Sequence, residues 1–190
     1  MKNQMTGFTL IELVVTVAMA AIVLTVGVPS FKEMTINNRL TTATNMLVGS
    51  LNLARSEAIK RGKAISICKS NTGTSCTGSG TQWEDGWIVF VNEDKDSPAQ
   101  VDSGEEILRV LPGLRDSYSL RSNNFTNFLT YKASGQSNNN GRFVICHENQ
   151  IKNSRAIFIN KTGRVRIASD ADKNQIPEDN DGNDITSCSP

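Results

Sequence analysis

The sequence predicts an α+β chain in which one long N-terminal helix, half membrane-spanning and half amphipathic, packs on an antiparallel β-sheet domain. Three observations carry this. Residues Phe8 to Val28 form an apolar run broken by a single charge, Glu12. From Phe31 to Ala58 apolar residues recur three or four apart, the spacing that gathers them on one side of a helix. Beyond Gly62 the period shortens to two, in brief runs separated by Gly, Asn, Asp and Pro, as in strands joined by turns. The 190 residues suffice for one ordinary domain and an appended segment. With 20 basic and 19 acidic side chains the formal charge is +1, which excludes a polycation that coats nucleic acid.

The apolar run FTLIELVVTVAMAAIVLTVGV has about 21 residues. As a helix it extends about 31 Å at ~1.5 Å per residue and matches the hydrocarbon core of a bilayer. A cleaved secretory signal has a core of roughly 7–15 residues followed by small residues at the cut site. This run is longer, ends at Gly27-Val28-Pro29 and leads directly into a second helical pattern, so it reads as a retained span. Lys2 lies on its N-terminal side, and the positive-inside rule then puts residues 1–7 in the cytoplasm and the chain beyond Pro29 outside. Glu12 stands apart: a carboxylate inside a span costs about 2.5–3.5 kcal/mol on insertion scales and calls for a partner, a function or a place at the interface.

Residues 29–62 form the amphipathic half of the stem, with Phe31, Met34, Leu40, Ala43, Leu47, Leu51, Ala54 and Ala58 on its apolar side, Ser30 as its cap and Gly62 as its stop. Between Lys32 and Lys63 there are six basic and two acidic residues, so the outer side is positive. Residues 63–190 hold the sheet. Strands are expected at 64–68, 87–92, 106–111, 117–121, 128–133, 142–146, 156–160 and 164–168, the last after a turn at Lys161-Thr162-Gly163. Residues 133–141 read as a mobile loop and the tail from Asp170 as irregular, while Trp83 and Trp87 belong to the core.

The run Gly7-Phe8-Thr9-Leu10-Ile11-Glu12, opening an apolar helix after a short basic leader, resembles the N-terminus of type IV pilins and type II secretion pseudopilins. The resemblance implies a leader of residues 1–7, cut after Gly7 by a membrane prepilin peptidase, with methylation of the new N-terminus at Phe8. It also implies that Glu12 pairs with the N-terminal amine of a neighbouring subunit during filament assembly, which offsets two charges in an apolar bundle, and that Pro29 bends the first helix. The segments ARSEAIKRG (54–62), ISIC (65–68) and WEDGWIVF (83–90) are similar to the GspH/FimT class of minor pilins and pseudopilins. Membership implies a structural, non-enzymatic subunit with no cofactor. Its implied partners are other major and minor pilins, the prepilin peptidase and the inner-membrane assembly platform. It is expected in the inner membrane as a single-pass protein with a periplasmic C-terminal domain, and then in an extracellular pilus, at the tip or in its priming complex. The alternative is a minor pseudopilin of a type II protein secretion system, which has the same stem and fold.

All four cysteines, at 68, 76, 146 and 188, follow the span, in an oxidising compartment where disulfides form. They permit three connectivities. The favoured one joins Cys68 to Cys76 across a Gly/Ser/Thr loop and Cys146 to Cys188, pinning the tail to a strand. No C-x-x-C pair is present and His147 is the sole histidine, so no metal site is expected. Asp170, Asp172 and Asn174, like Asp179, Asp181 and Asn183, have part of a calcium-loop spacing, but neither series has Gly at the turn position or a closing Glu at the required distance. There is no G-x-S-x-G, Walker loop or H-E-x-x-H, and the pairs Glu84/Asp85 and Glu105/Glu106 are adjacent in sequence, so no catalytic residue is assigned.

Charge is unevenly spread. Residues 142–166 carry Arg142, Lys152, Arg155, Lys161, Arg164 and Arg166 against Glu148. By contrast 84–106 carries eight acids and one Lys, and 170–190 six acids and one Lys. In Gly163-Arg164-Val165-Arg166 the arginines are two apart, so on a strand their guanidiniums share a face and suit adjacent phosphates. Gly163 supplies a tight turn and lets a phosphate backbone come close. This G-R-x-R pattern resembles that of FimT-like minor pilins that bind DNA in natural transformation. It implies double-stranded DNA as a further partner, held by Arg164, Arg166, Gly163, Lys161, Arg155 and Arg142. The alternative is that Arg164 and Arg166 pair with the acidic tail or with another subunit.

Overall fold

The computed structural model describes residues 7–78, 80–115 and 117–189, so the expected leader lies outside the described residues except for Gly7. The chain forms two compact units, residues 1–38 and 39–190. In the first, helix α1 (Leu10–Ile22) passes through a π-helical turn (Val23–Gly27) into helix α2 (Val28–Arg61). Thr9 caps α1, its Oγ1 accepting the Glu12 N–H at 3.3 Å. The wide turn precedes Pro29, whose ring crowds the carbonyl four residues back and whose nitrogen donates nothing. Thr25 Oγ1 donates to the Ala21 carbonyl at 2.9 Å and Ser30 Oγ to that of Val26 at 3.0 Å, hydroxyls engaging carbonyls around the break. Ser30 is therefore inside a helix that begins at Val28, not at its cap: a helix that never stops at Pro29 needs no second start. The stretch is long and apolar enough to cross a membrane, with a mean hydropathy of 2.4 over its best 18 residues, and its side chains are exposed.

In the second unit α2 buries Leu40, Ala43, Leu47, Leu51, Ala54 and Ala58. Gly62 follows the helix with a φ of +66°, the left-handed conformation common just past a helix end. Among the described residues eight strands follow, and all their pairings are antiparallel. Strands β1 (Ala64–Lys69), β2 (Gly86–Asn92), β3 (Ile107–Pro112) and β5 (Phe128–Tyr131) form one sheet in the order β3-β2-β1-β5. Strands β4 (Tyr118–Ser122), β6 (Gly141–His147), β7 (Gln150–Ile159) and β8 (Val165–Ile167) form another in the order β4-β6-β7-β8. The α+β architecture is as expected, with two four-stranded sheets in place of one.

Every residue of β2 is buried. On one face Trp87 donates its Nε1–H to Ser50 Oγ of α2 at 3.0 Å. On the other, Ile88 and Phe90 pack with Cys68 and Ala99, so the acidic segment after β2 folds back over the first sheet. In the second sheet Val144, Cys146 and Ala156 pack against Ile185 and Cys188 of the tail. Disulfides join Cys68 to Cys76 and Cys146 to Cys188, the favoured pairing. Strand β7 starts six residues before the expected position, because Glu148 and Asn149 (φ of 52° and 56°) make a two-residue turn of the kind that closes a tight hairpin. The 133–141 loop is tied down: Lys132 N donates to Gln136 O at 2.8 Å and Ser137 N to Lys161 O at 3.1 Å.

Candidate functional site

The register of the second sheet sets Arg142 of β6 opposite Phe158 of β7, and Phe158 opposite Arg166 of β8. Directly paired residues of an antiparallel sheet share a face, so the three side chains form one row. The Arg166 guanidinium carbon lies 4.9 Å from the centre of the Phe158 ring, a cation–π contact. Its Nη2 donates to Asn180 Oδ1 at 2.6 Å, which brings the tail to the edge of the row. Arg164 is exposed at the mouth, with its backbone N–H donating to Asn160 Oδ1 at 2.9 Å. Around these residues opens a groove of about 460 Å³, also lined by Asn123 and Asn140 and by no carboxylate among the described residues.

The groove is electropositive and rich in donors. Arg142 is half-buried, its backbone N–H donates to Asn123 Oδ1 at 2.9 Å, and its buried Nε has no partner. Asp179, next to Asn180 in the chain, is held below the ordinary carboxylate range chiefly by backbone N–H groups of Asn183 and Asp181, with a smaller contribution from the Arg142 charge. An acceptor-rich anion with an attached flat group is the ligand such a surface suits.

Of the six residues implied by the G-R-x-R resemblance, Arg142, Arg164 and Arg166 meet in the groove. The other three do not. Arg155 is three residues from Phe158 on β7, hence on the opposite face, and its Nη1 is engaged by the carbonyls of Asn153 (2.9 Å) and Ser154 (3.1 Å). Lys161 is exposed in the turn before the groove. Gly163 is buried, with a φ of +79°, and a Cβ there would sit 2.0 Å from the Gly135 carbonyl oxygen. Its close approach is to the Gly135 carbonyl of its own chain. Arg164 also precedes β8, so the turn at Asn160 rather than strand alternation brings it beside Arg166. Phe158, Asn123 and Asn180 went unnoticed in the sequence. Only the hairpin register could have singled out Phe158.

At the other end of the chain Gly7, Phe8 and Glu12 are exposed, with Glu12 in the first turn of α1. Two acidic groups, Asp94/Asp96/Asp102 and Asp170/Asp172/Glu178, draw carboxylate oxygens together. Their oxygens also accept backbone N–H groups: Asp96 from Gln100 at 2.9 Å and Glu178 from Ala171 at 2.7 Å.

Residues 43–163 match the family described as Type II transport protein GspH, and residues 2–28 match the prokaryotic N-terminal methylation motif. Among solved structures the chain is similar to the type IV minor pilin FimU of Pseudomonas aeruginosa strain PAO1, at 22% identity and a TM-score of 0.57, covering 82% of this chain and 98% of that one. A second crystal form of FimU gives 21% and 0.54, covering 78% and 98%. The minor pseudopilin EpsH of the Vibrio cholerae type 2 secretion system gives 12% and 0.48, covering 69% and 97%. No curated protein matches the chain. At such identities the likeness to FimU speaks for the fold alone. The family match runs from the buried face of α2 through strands β1 to β7 and ends at Gly163, before β8, and covers well over half of the chain. The chain therefore belongs to the GspH family of pilin and pseudopilin subunits.

Proposed function

We propose that the chain is a minor type IV pilin that is built into the pilus, at its tip or priming complex, and that captures DNA through Arg142, Arg164 and Arg166. Maturation follows the N-terminal motif: a prepilin peptidase cuts after Gly7, Phe8 becomes the methylated N-terminus, and Glu12 pairs with the amine of a neighbouring subunit. The apolar helix holds the protein in the inner membrane with residues 39–190 in the periplasm until assembly with other major and minor pilins on the assembly platform.

The observation that carries the DNA reading is the meeting of three arginines in one groove lined by no carboxylate among the described residues. Backbone binding of this kind is tolerant of sequence and sensitive to salt, with a log–log slope of about −0.9 per neutralised phosphate. The test is a salt series with the full-length chain in lipid nanodiscs and a blunt duplex. Three contacts give a slope of about −2.7, and Arg164→Ala/Arg166→Ala removes about 1.8 of it along with most of the affinity. Binding indifferent to these arginines would return them to structure.

Membership of a family described as Type II transport protein supports a second reading as a minor pseudopilin serving protein export. Deletion of the coding sequence separates the two. Loss of pili or transformation favours the pilus, and a secretion defect with pili intact favours the export system.

A further inference from the structure

We propose that the groove receives an unpaired nucleotide, so that the preferred ligand is a single-stranded segment or frayed end of DNA rather than the side of a duplex. The inference rests on the DNA reading above and sharpens it. Three features carry it: concavity, the stacked aromatic and the polarity of the free hydrogen-bonding groups.

At about 460 Å³ the groove is within the range of sites that enclose small molecules, roughly 300–1,000 Å³, and it is walled by turns at Asn123 and Asn140 and by the tail at Asn180. A duplex is a convex rod and touches the rim of such a depression. A nucleotide turned out of a stack enters it.

Inside, Phe158 sits in the row between Arg142 and Arg166, with Arg166 over its ring. Aromatic rings and guanidinium planes are the surfaces on which unstacked bases settle. Phosphate binding alone needs no aromatic side chain.

The free groups are donors. Asn123, Asn160 and Asn180 each use Oδ1 to accept a protein N–H, from Arg142 N (2.9 Å), Arg164 N (2.9 Å) and Arg166 Nη2 (2.6 Å). These bonds orient each amide and leave its NH₂ to donate. An unpaired nucleotide offers the complementary set: phosphate oxygens for Arg164 at the mouth, and base carbonyl and ring-nitrogen acceptors that a Watson–Crick partner would otherwise occupy.

The experiment compares three probes at one salt concentration on the full-length chain in nanodiscs. They are a duplex closed at both ends by non-nucleotide linkers, the same duplex with a single-stranded overhang, and a non-complementary single strand of equal length. The single strand is expected to bind about tenfold more tightly than the closed duplex, with the overhang between them. Phe158→Leu keeps an apolar side chain in the row; it should bring single-strand affinity down to that of the closed duplex, with an unchanged thermal unfolding curve reporting an intact fold. Equal affinity for closed duplex and single strand, or a preference that survives Phe158→Leu, overturns the inference and leaves the phosphate reading standing. Thymidine monophosphate matching the single strand would make the groove a site for free nucleotides and overturn it as well. No binding of any probe would sink the DNA reading itself.

Discussion

Replacing Gly163 with alanine tests whether the first residue of the G-R-x-R motif serves the ligand or the fold. At a φ of +79° a non-glycine residue costs about 1–2 kcal/mol. The added Cβ would lie 2.0 Å from the Gly135 carbonyl oxygen and 3.0 Å from the Tyr131 ring, so the 161–163 turn must part from the 133–137 loop. That movement loosens three hydrogen bonds, each 3.1 Å long: Arg55 Nε to Gly135 O, Arg55 Nη2 to Thr162 O, and Ser137 N to Lys161 O. At about 0.5–1.5 kcal/mol each, with partial recovery by water, the total is about 3–5 kcal/mol. For a domain of this size the melting temperature should fall by roughly 10–15 °C. The assay is thermal unfolding of the full-length chain in nanodiscs followed by tryptophan emission, since Trp83 and Trp87 are both buried. Arg164→Ala, at an exposed position, should stay within about 2 °C of the unmutated chain. A Gly163→Ala protein that also melts within 2 °C would refute the argument and reopen a ligand-facing role for the glycine.

Cys146→Ser/Cys188→Ser opens a bridge between residues 42 apart, and the chain-entropy estimate of its contribution is about 4 kcal/mol. The double mutant should unfold at lower denaturant and be cut by protease within residues 170–184 while the rest resists. Ser50→Ala strands the buried Trp87 indole N–H and should cost about 1–3 kcal/mol in a denaturant titration. A cost below 0.5 kcal/mol would mean that water replaces the hydroxyl. Asp179 has a folded pKa below its unfolded value, so its contribution is present above the unfolded pKa and lost as pH falls through the folded one. The protection factors of the Asp181 and Asn183 amides, which bond to Asp179, should fall selectively below the ordinary carboxylate range. A uniform fall across the domain would assign the acid response elsewhere.

The legibility of this chain followed how local each determinant is. A run such as Trp87-Ile88-Val89-Phe90 announces a strand by itself, and the three- and four-residue spacing from Leu40 to Ala58 announces the buried helix face. Strand β7 was half hidden, because Gln150 to Arg155 is polar and its start depends on positive φ at Glu148 and Asn149, which those residue types do not declare. The division into two sheets depends on which strands pair at long range. The groove was legible in its charges and opaque in its shape. Arg164 and Arg166 stood out together, but Arg142, Phe158 and Asn180 join them only through hairpin register and the pinned tail. The same register removes Arg155, which charge counting could not do. Gly163 was equally opaque: a buried glycine packed on its own backbone and a glycine left open for a phosphate have the same sequence.

The Cys146–Cys188 bridge also bears on how the chain responds to being pulled. A protein anchored by its N-terminal helix takes load from that end, and an unravelling domain lengthens by the contour of each segment it releases. The stretch between these cysteines, a separation of 42 positions, would add about 140 Å if it ran free, at roughly 3.4 Å per residue. Closed on itself it adds only the span of the bridge, and the shorter ring at Cys68–Cys76 withholds about 27 Å more. Strands β7 and β8, Arg164, Arg166 and Asn180 all lie inside the larger ring. Even a subunit stretched from its stem keeps most of its cationic groove within one covalent loop.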